Sequence, residues 1–153
     1  PSYLTTEVTV TVKKEGGRFR GDRELTYLAS GQVHLQIPLA NIEASDIEKI
    51  NDVYYVTLPP SILSPVIDVN KSRVLGEMAG VFSPNKDGMI TEAQQSALPM
   101  LVEAACETDF DVDSNRQAAF QLEEIGEKFD VQIQLMTQRP EVCSNQTSAS
   151  NGR

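Results

Sequence analysis

The sequence predicts an α+β domain: a mixed or mostly antiparallel sheet, two C-terminal helices packed on one of its faces, and a closing strand. Three observations carry this. Apolar residues alternate with period two through the first half of the chain, recur at three and four residues from Ile90 to Phe129, and return to period two from Val131 to Leu135. Runs of strands followed by helices segregate into sheet and helix layers. At 153 residues, with 40% apolar and 23% charged content, the chain has the size of one domain, expected over residues 1–138.

Val8, Val10 and Val12 alternate with Thr9 and Thr11 and mark a strand with one buried face. Lys13 to Asp22, with Gly16, Gly17 and Gly21 among basic residues, reads as a solvated connection. Leu25 to Ala29 and Val33 to Leu39 flank Ser30-Gly31, which predicts a hairpin or a bulged strand. Asn41 to Ile50 is acidic and weakly helical. Val53 to Leu58 is rich in β-formers and must stop at Pro59-Pro60, since proline lacks a ladder donor and restricts the residue before it. Val66 to Val69 gives a short edge segment. Asp68 to Phe82 reads as strand or loop, because Gly76 and Gly80 weaken a helix there.

Ile90, Ala93, Ala97, Leu101 and Ala104 define an amphipathic helix that Pro99 should kink or divide. Ser114 and Gln117 fit a capping box for a second helix through Ala118, Leu122, Ile125 and Phe129. Residues 139–153, rich in Ser, Asn, Gln and Thr, lack the apolar side chains that offset ordering entropy, so a disordered tail is expected.

The charge of −9 repels phosphate backbones and anionic lipid headgroups, which disfavours nucleic-acid partners and direct electrostatic membrane binding. The longest apolar run, Ala97 to Val102, is too short to cross a bilayer. Lys13, Lys14, Arg18, Arg20 and Arg23 form the one basic cluster and read as a solvated face. Cys106 and Cys143 have no metal-binding spacing. Cys106 ends an apolar helical run and Cys143 sits in the polar tail, so two free thiols are favoured over a disulfide, which stays open.

The sharpest site signal is Ser83 to Ile90. A calcium loop wants oxygen ligands at alternate early positions and glycine at the sixth, which Ser83, Asn85, Asp87 and Gly88 match, with the Met89 carbonyl next. Only Asp87 brings a charge, and the twelfth position is Gln94 rather than glutamate, so an Asx turn entering a helix explains the same letters better. Glu107, Asp109, Asp111 and Asp113 read as favourable charge near a helix N-terminus rather than as a metal site. His34, the only histidine, falls on the wet face of a strand without a nucleophile motif beside it. No catalytic residue and no cofactor is expected.

Gly31 through Ile37, Val53 through Asp68 with its Leu58-Pro59-Pro60 segment, Gly80-Val81-Phe82, the Ala118 to Ile125 helix and Val131 to Leu135 together resemble the prokaryotic domain-of-unknown-function family numbered 4230. The similarity covers roughly residues 5–136. Family members commonly show Gly and Asp where this chain has Gln36 and Pro38 before Leu39. The resemblance implies a membrane-associated domain held by an N-terminal hydrophobic helix and supplies no catalytic residues. By analogy, the Leu-Pro-Pro exit from a strand is similar to scaffold domains of the stomatin/prohibitin class, which oligomerise beside a membrane. The expected function is a non-enzymatic protein-interaction or scaffold module that binds a protein partner or itself. The alternative is a cation- or small-ligand-binding regulatory domain using the Ser83 to Asp87 loop.

Overall fold

The computed structural model describes residues 2–16, 21–80 and 85–150. The elements run β1 (Ser2–Lys14), β2 (Arg23–Gln36), β3 (Ile47–Ile50), β4 (Val53–Thr57), β5 (Ile62–Ile67), β6 (Arg73–Ala79), α1 (Lys86–Glu107), α2 (Phe110–Lys128), β7 (Gln132–Met136) and α3 (Glu141–Ser150). The architecture is α+β, as expected, with antiparallel pairs dominating. The strands form two sheets rather than one, and the chain divides into two interleaved compact units. The first unit holds residues 3–34 and 65–105, and the second holds Ser2, residues 35–64 and the chain from Cys106 on.

In the first unit β1 and β5 neighbour β2, and β6 pairs antiparallel with β2 from Arg23↔Ala79 to Leu28↔Arg73, with a shift between Thr26 and Tyr27. The side-chain contacts Tyr3–His34, Thr11–Thr26 and Lys13–Glu24 fall on one antiparallel register of β1 and β2 without a slip. The Val/Thr alternation makes β1 two-faced: Val10 and Val12 are buried, while Thr9 and Thr11 are exposed. Met89, Ala93 and Ala97, one stripe of α1, close over Val10, Val12, Leu25, Tyr27 and Ala29. Burying Met89 and Leu25 alone is worth roughly 1.5–3 kcal/mol each.

Ser30-Gly31 is not a turn. β2 runs through it, and Gly31 is required by close approach, since a Cβ there would lie 2.6 Å from Leu101 Cδ1 and 2.7 Å from the Val66 carbonyl oxygen. The expected break at Pro99 is also absent: α1 is one helix of 22 residues. Gln95, whose carbonyl loses its donor at Pro99, and Pro99 itself both lie on the exposed side, where water satisfies the released group.

In the second unit β3 and β4 pair antiparallel from Ile47↔Val56 to Ile50↔Val53, and β4 pairs parallel with β7 from Val53↔Gln132 to Thr57↔Met136. The weakly helical reading of Asn41 to Ile50 resolves into a single 3₁₀ turn at Ala44–Asp46 followed by β3. The chain leaves β2 through a 3₁₀ turn at Leu39–Asn41. α2 starts at Phe110, not near Ser114, because Asp109 takes a left-handed conformation (φ 54°) that separates it from α1. It ends in a Schellman motif: Val131 N–H donates to the Gly126 carbonyl (3.0 Å), Asp130 N–H donates to that of Glu127 (3.1 Å), and Asp130 is left-handed. That reversal feeds β7 directly.

The disordered-tail expectation fails for residues 139–150. Cys106 and Cys143 form a disulfide (S–S 2.04 Å), so the preference for free thiols is corrected. Pro140 and Cys143 are buried, and α3 follows. Composition argued for disorder, but a covalent link and two buried anchors outweigh the ordering entropy of a short polar helix.

Candidate functional site: an apolar groove beside a buried polar node

α2 and the β3–β4–β7 sheet create the most distinctive surface of the second unit. Ile133 and Leu135 point to one face of β7, and their register partners Tyr54 and Val56 share that face of β4. Leu122, Ile125 and Phe129 are the stripe of α2 whose spacing marked it in the sequence. These residues do not close on one another. Val56, Leu122, Ile125, Phe129, Ile133 and Leu135 line a cavity of about 400 Å³ together with Leu39, Ile42, Leu58, Gly126 and Val131, so every lining residue is apolar. Phe129 is 75% exposed and Ile125 49%. Glycine at 126 brings the helix close to the turn into β7, because a Cβ there would stand 2.9 Å from both Ile133 Cδ1 and the Val131 carbonyl oxygen.

The groove has an acidic margin. Glu123 and Glu127 line an adjoining cavity of about 260 Å³ that shares Ile133 with it. Glu123 Oε1 accepts a 3.0 Å hydrogen bond from the Leu135 N–H. β7 is the terminal strand of its sheet among the described residues, so this carboxylate covers one amide of its free edge.

Deeper in the unit lies a polar node that the sequence did not reveal. Leu58 is buried; its N–H donates to the Met136 carbonyl (2.8 Å), its own carbonyl accepts from Gln138 Nε2 (3.0 Å), and beyond the two prolines the Ser61 N–H donates to the Gln138 carbonyl (3.4 Å). The Gln138 carbonyl accepts from Asn115 Nδ2 (3.0 Å), which also reaches Ser61 Oγ (3.2 Å). Ser61 and Asn115 are buried. Beside them Arg139 grips the fully buried Asp111 through two bonds, Nε to Oδ2 at 2.7 Å and Nη2 to Oδ1 at 3.1 Å. The hydrogen bond to the Asp111 carboxylate raises the Arg139 pKa above the usual guanidinium range. Asp111 thus anchors the segment entering α3, a role beyond the helix-start charge that its position suggested.

Ser61 Oγ faces an amide and a carbonyl, not a base. In the first unit His34 packs against the Tyr3 ring, with centroids 5.7 Å apart. Of the calcium-type positions, Ser83 lies outside the described residues. Asn85 Oδ1 accepts the Asp87 N–H at 2.9 Å and caps α1, Asp87 sits in its first turn, and the Met89 side chain is buried in the core. The helix therefore begins inside the segment that a calcium loop would need to keep open. In the basic cluster, Lys13 meets Glu24, Lys14 meets Glu92 and Arg23 meets Glu77; Arg18 and Arg20 lie outside the described residues. Glu77 is also held by Lys86 (2.9 Å), and these cations keep its carboxyl below the usual glutamate range, Lys86 most of all.

A family model described as "Protein of unknown function (DUF4230)" matches residues 2–134. The chain belongs to this family. The matched range runs from β1 into β7, so it takes in the apolar groove except Leu135 and leaves α3 outside. No curated protein and no solved structure matches the chain. Among the described residues no helix is long and apolar enough to cross a membrane, and no three His, Cys, Asp or Glu side chains group as metal ligands.

Proposed function

We propose that this domain is a non-enzymatic protein-interaction module whose groove between α2 and the β4–β7 face receives the apolar side of a basic amphipathic helix from a partner protein. The observation that carries this reading is the groove itself, lined by eleven apolar residues and rimmed by a Phe129 that is 75% exposed. A hydrophobic surface of this kind, bordered by polar groups, marks an interaction site. Glu123 and Glu127 on the margin favour Lys or Arg flanking the partner's apolar stripe, as does the net charge of −9. Family resemblance adds membrane association through an N-terminal apolar helix, and the disulfide supports an oxidising, extracytoplasmic setting.

The test is a methyl NMR titration with a synthetic Leu/Lys amphipathic helix and its scrambled counterpart. The expected result is saturable shifts at Leu122, Ile125, Ile133 and Leu135 with the helical peptide alone, weakened at least about tenfold by Phe129→Ser. Equal response to the scrambled peptide, or shifts that map away from the groove, overturns the reading.

A further inference from the structure

Strand β1 offers a second surface, in the other unit. It is 13 residues long and terminal in its sheet among the described residues, with β2 on one side. Natural edge strands are blunted by proline, by charge or by being short. This strand has no proline, and its charged residues are Glu7 at its middle and Lys13 and Lys14 at its end. Its outward face reads Glu7, Thr9, Thr11, Lys13, every one exposed. That face is self-complementary in one direction only. A parallel mate would set Glu7 against Glu7, whereas an antiparallel mate centred on Val10 sets Glu7 opposite Lys13 twice, and Thr9 opposite Thr11 twice. A two-fold axis through one patch that matches itself is the usual geometry of a homodimer.

We infer that two copies of this chain pair antiparallel along their β1 edges about Val10, with Glu7 of each copy opposite Lys13 of the other. The pairing extends the β1–β2 sheet into a continuous sheet across the dimer and covers residues 6–14 of each β1 edge. Lys13 already lies 3.3 Å from Glu24, yet its side chain is 74% exposed, so it is positioned between that carboxylate and the incoming Glu7. Val8, Val10 and Val12 keep their inward orientation, because the axis stands perpendicular to the sheet and leaves each core on its own face.

Sedimentation velocity of the full chain over a concentration series tests this, with circular dichroism confirming that each variant is folded. The expected result is reversible dimerisation of the wild type, a roughly tenfold weaker dimer for Glu7→Lys, and recovery in Glu7→Lys/Lys13→Glu, where the charges are exchanged. Phe129→Ser leaves this dimer intact, which separates it from the groove. A wild type that stays monomeric, a dimer indifferent to Glu7→Lys, a double variant that fails to recover, or a dimer lost with Phe129→Ser would each overturn the inference.

Discussion

Replacing both Cys106 and Cys143 with alanine should cost this protein about 4 kcal/mol of stability. The bridge closes a loop with a sequence separation of 37 residues. The chain-entropy relation for a loop of that length gives about 13 cal/mol/K, or about 3.8 kcal/mol at 25 °C. Both cysteines are buried, at 7% and 2% exposure, so the alanine pair also loses some packing. The loop spans α2 and β7 and lies wholly in the second unit, so the loss falls on that unit. Urea unfolding followed by far-UV circular dichroism measures it, comparing oxidised protein, protein under dithiothreitol and the double variant. With a slope of roughly 2 kcal/mol/M, the midpoint should fall by about 2 M in both perturbed samples. Thiol titration of the oxidised protein should find no reactive cysteine before or after unfolding. A midpoint shift below about 0.5 M, or a large difference between the reduced wild type and the alanine pair, would show that the loop constraint is not what holds α3.

Two further outcomes follow from the ion pairs. Asp111→Asn should destabilise by about 2–3 kcal/mol, below the roughly 3–5 kcal/mol of breaking a fully buried pair, because the Arg139 side chain is 36% exposed and regains water. A double-mutant cycle with Arg139→Ala measures the coupling, and an additive cycle would refute it. For Glu77, whose folded pKa is depressed, the contribution to stability is fully present above the ordinary glutamate value and is lost as pH falls through the lower folded value. Urea midpoints taken from neutral pH downward should show the wild type's advantage over Glu77→Gln vanishing only in that acid range; an advantage constant with pH would contradict the assignment.

The strands β1 and β7 were legible because alternation leaves a period of two in the residues themselves, and β4 because its β-formers end at two prolines. α2 was legible because Ala118, Leu122, Ile125 and Phe129 recur on one stripe. Its start was not, since Asp111, Ser114 and Asn115 are polar and look exposed. All three are buried, and the partners of Asp111 and Asn115, namely Arg139, Ser61 and Gln138, lie 23 to 54 residues away. α3 was hidden for the same reason, its anchor being a cysteine on another helix. Gly31 carried the letters of a turn, and only the approach of Leu101 and Val66 explains why β2 continues through it. The two sheets were read as one because each unit takes separated segments of the chain. The apolar members of the groove were visible as a core stripe; that the stripe stays open depends on what does not pack there, and periodicity carries no trace of that.

The single bond from Glu123 to the Leu135 amide bears on how far assembly can go. A foreign strand approaching β7 must first evict a carboxylate and then lie against its charge, so sheet growth in that direction is blocked at the outset. A carboxylate seated on one edge amide is thus a guard against the open-ended strand addition that leads to fibres.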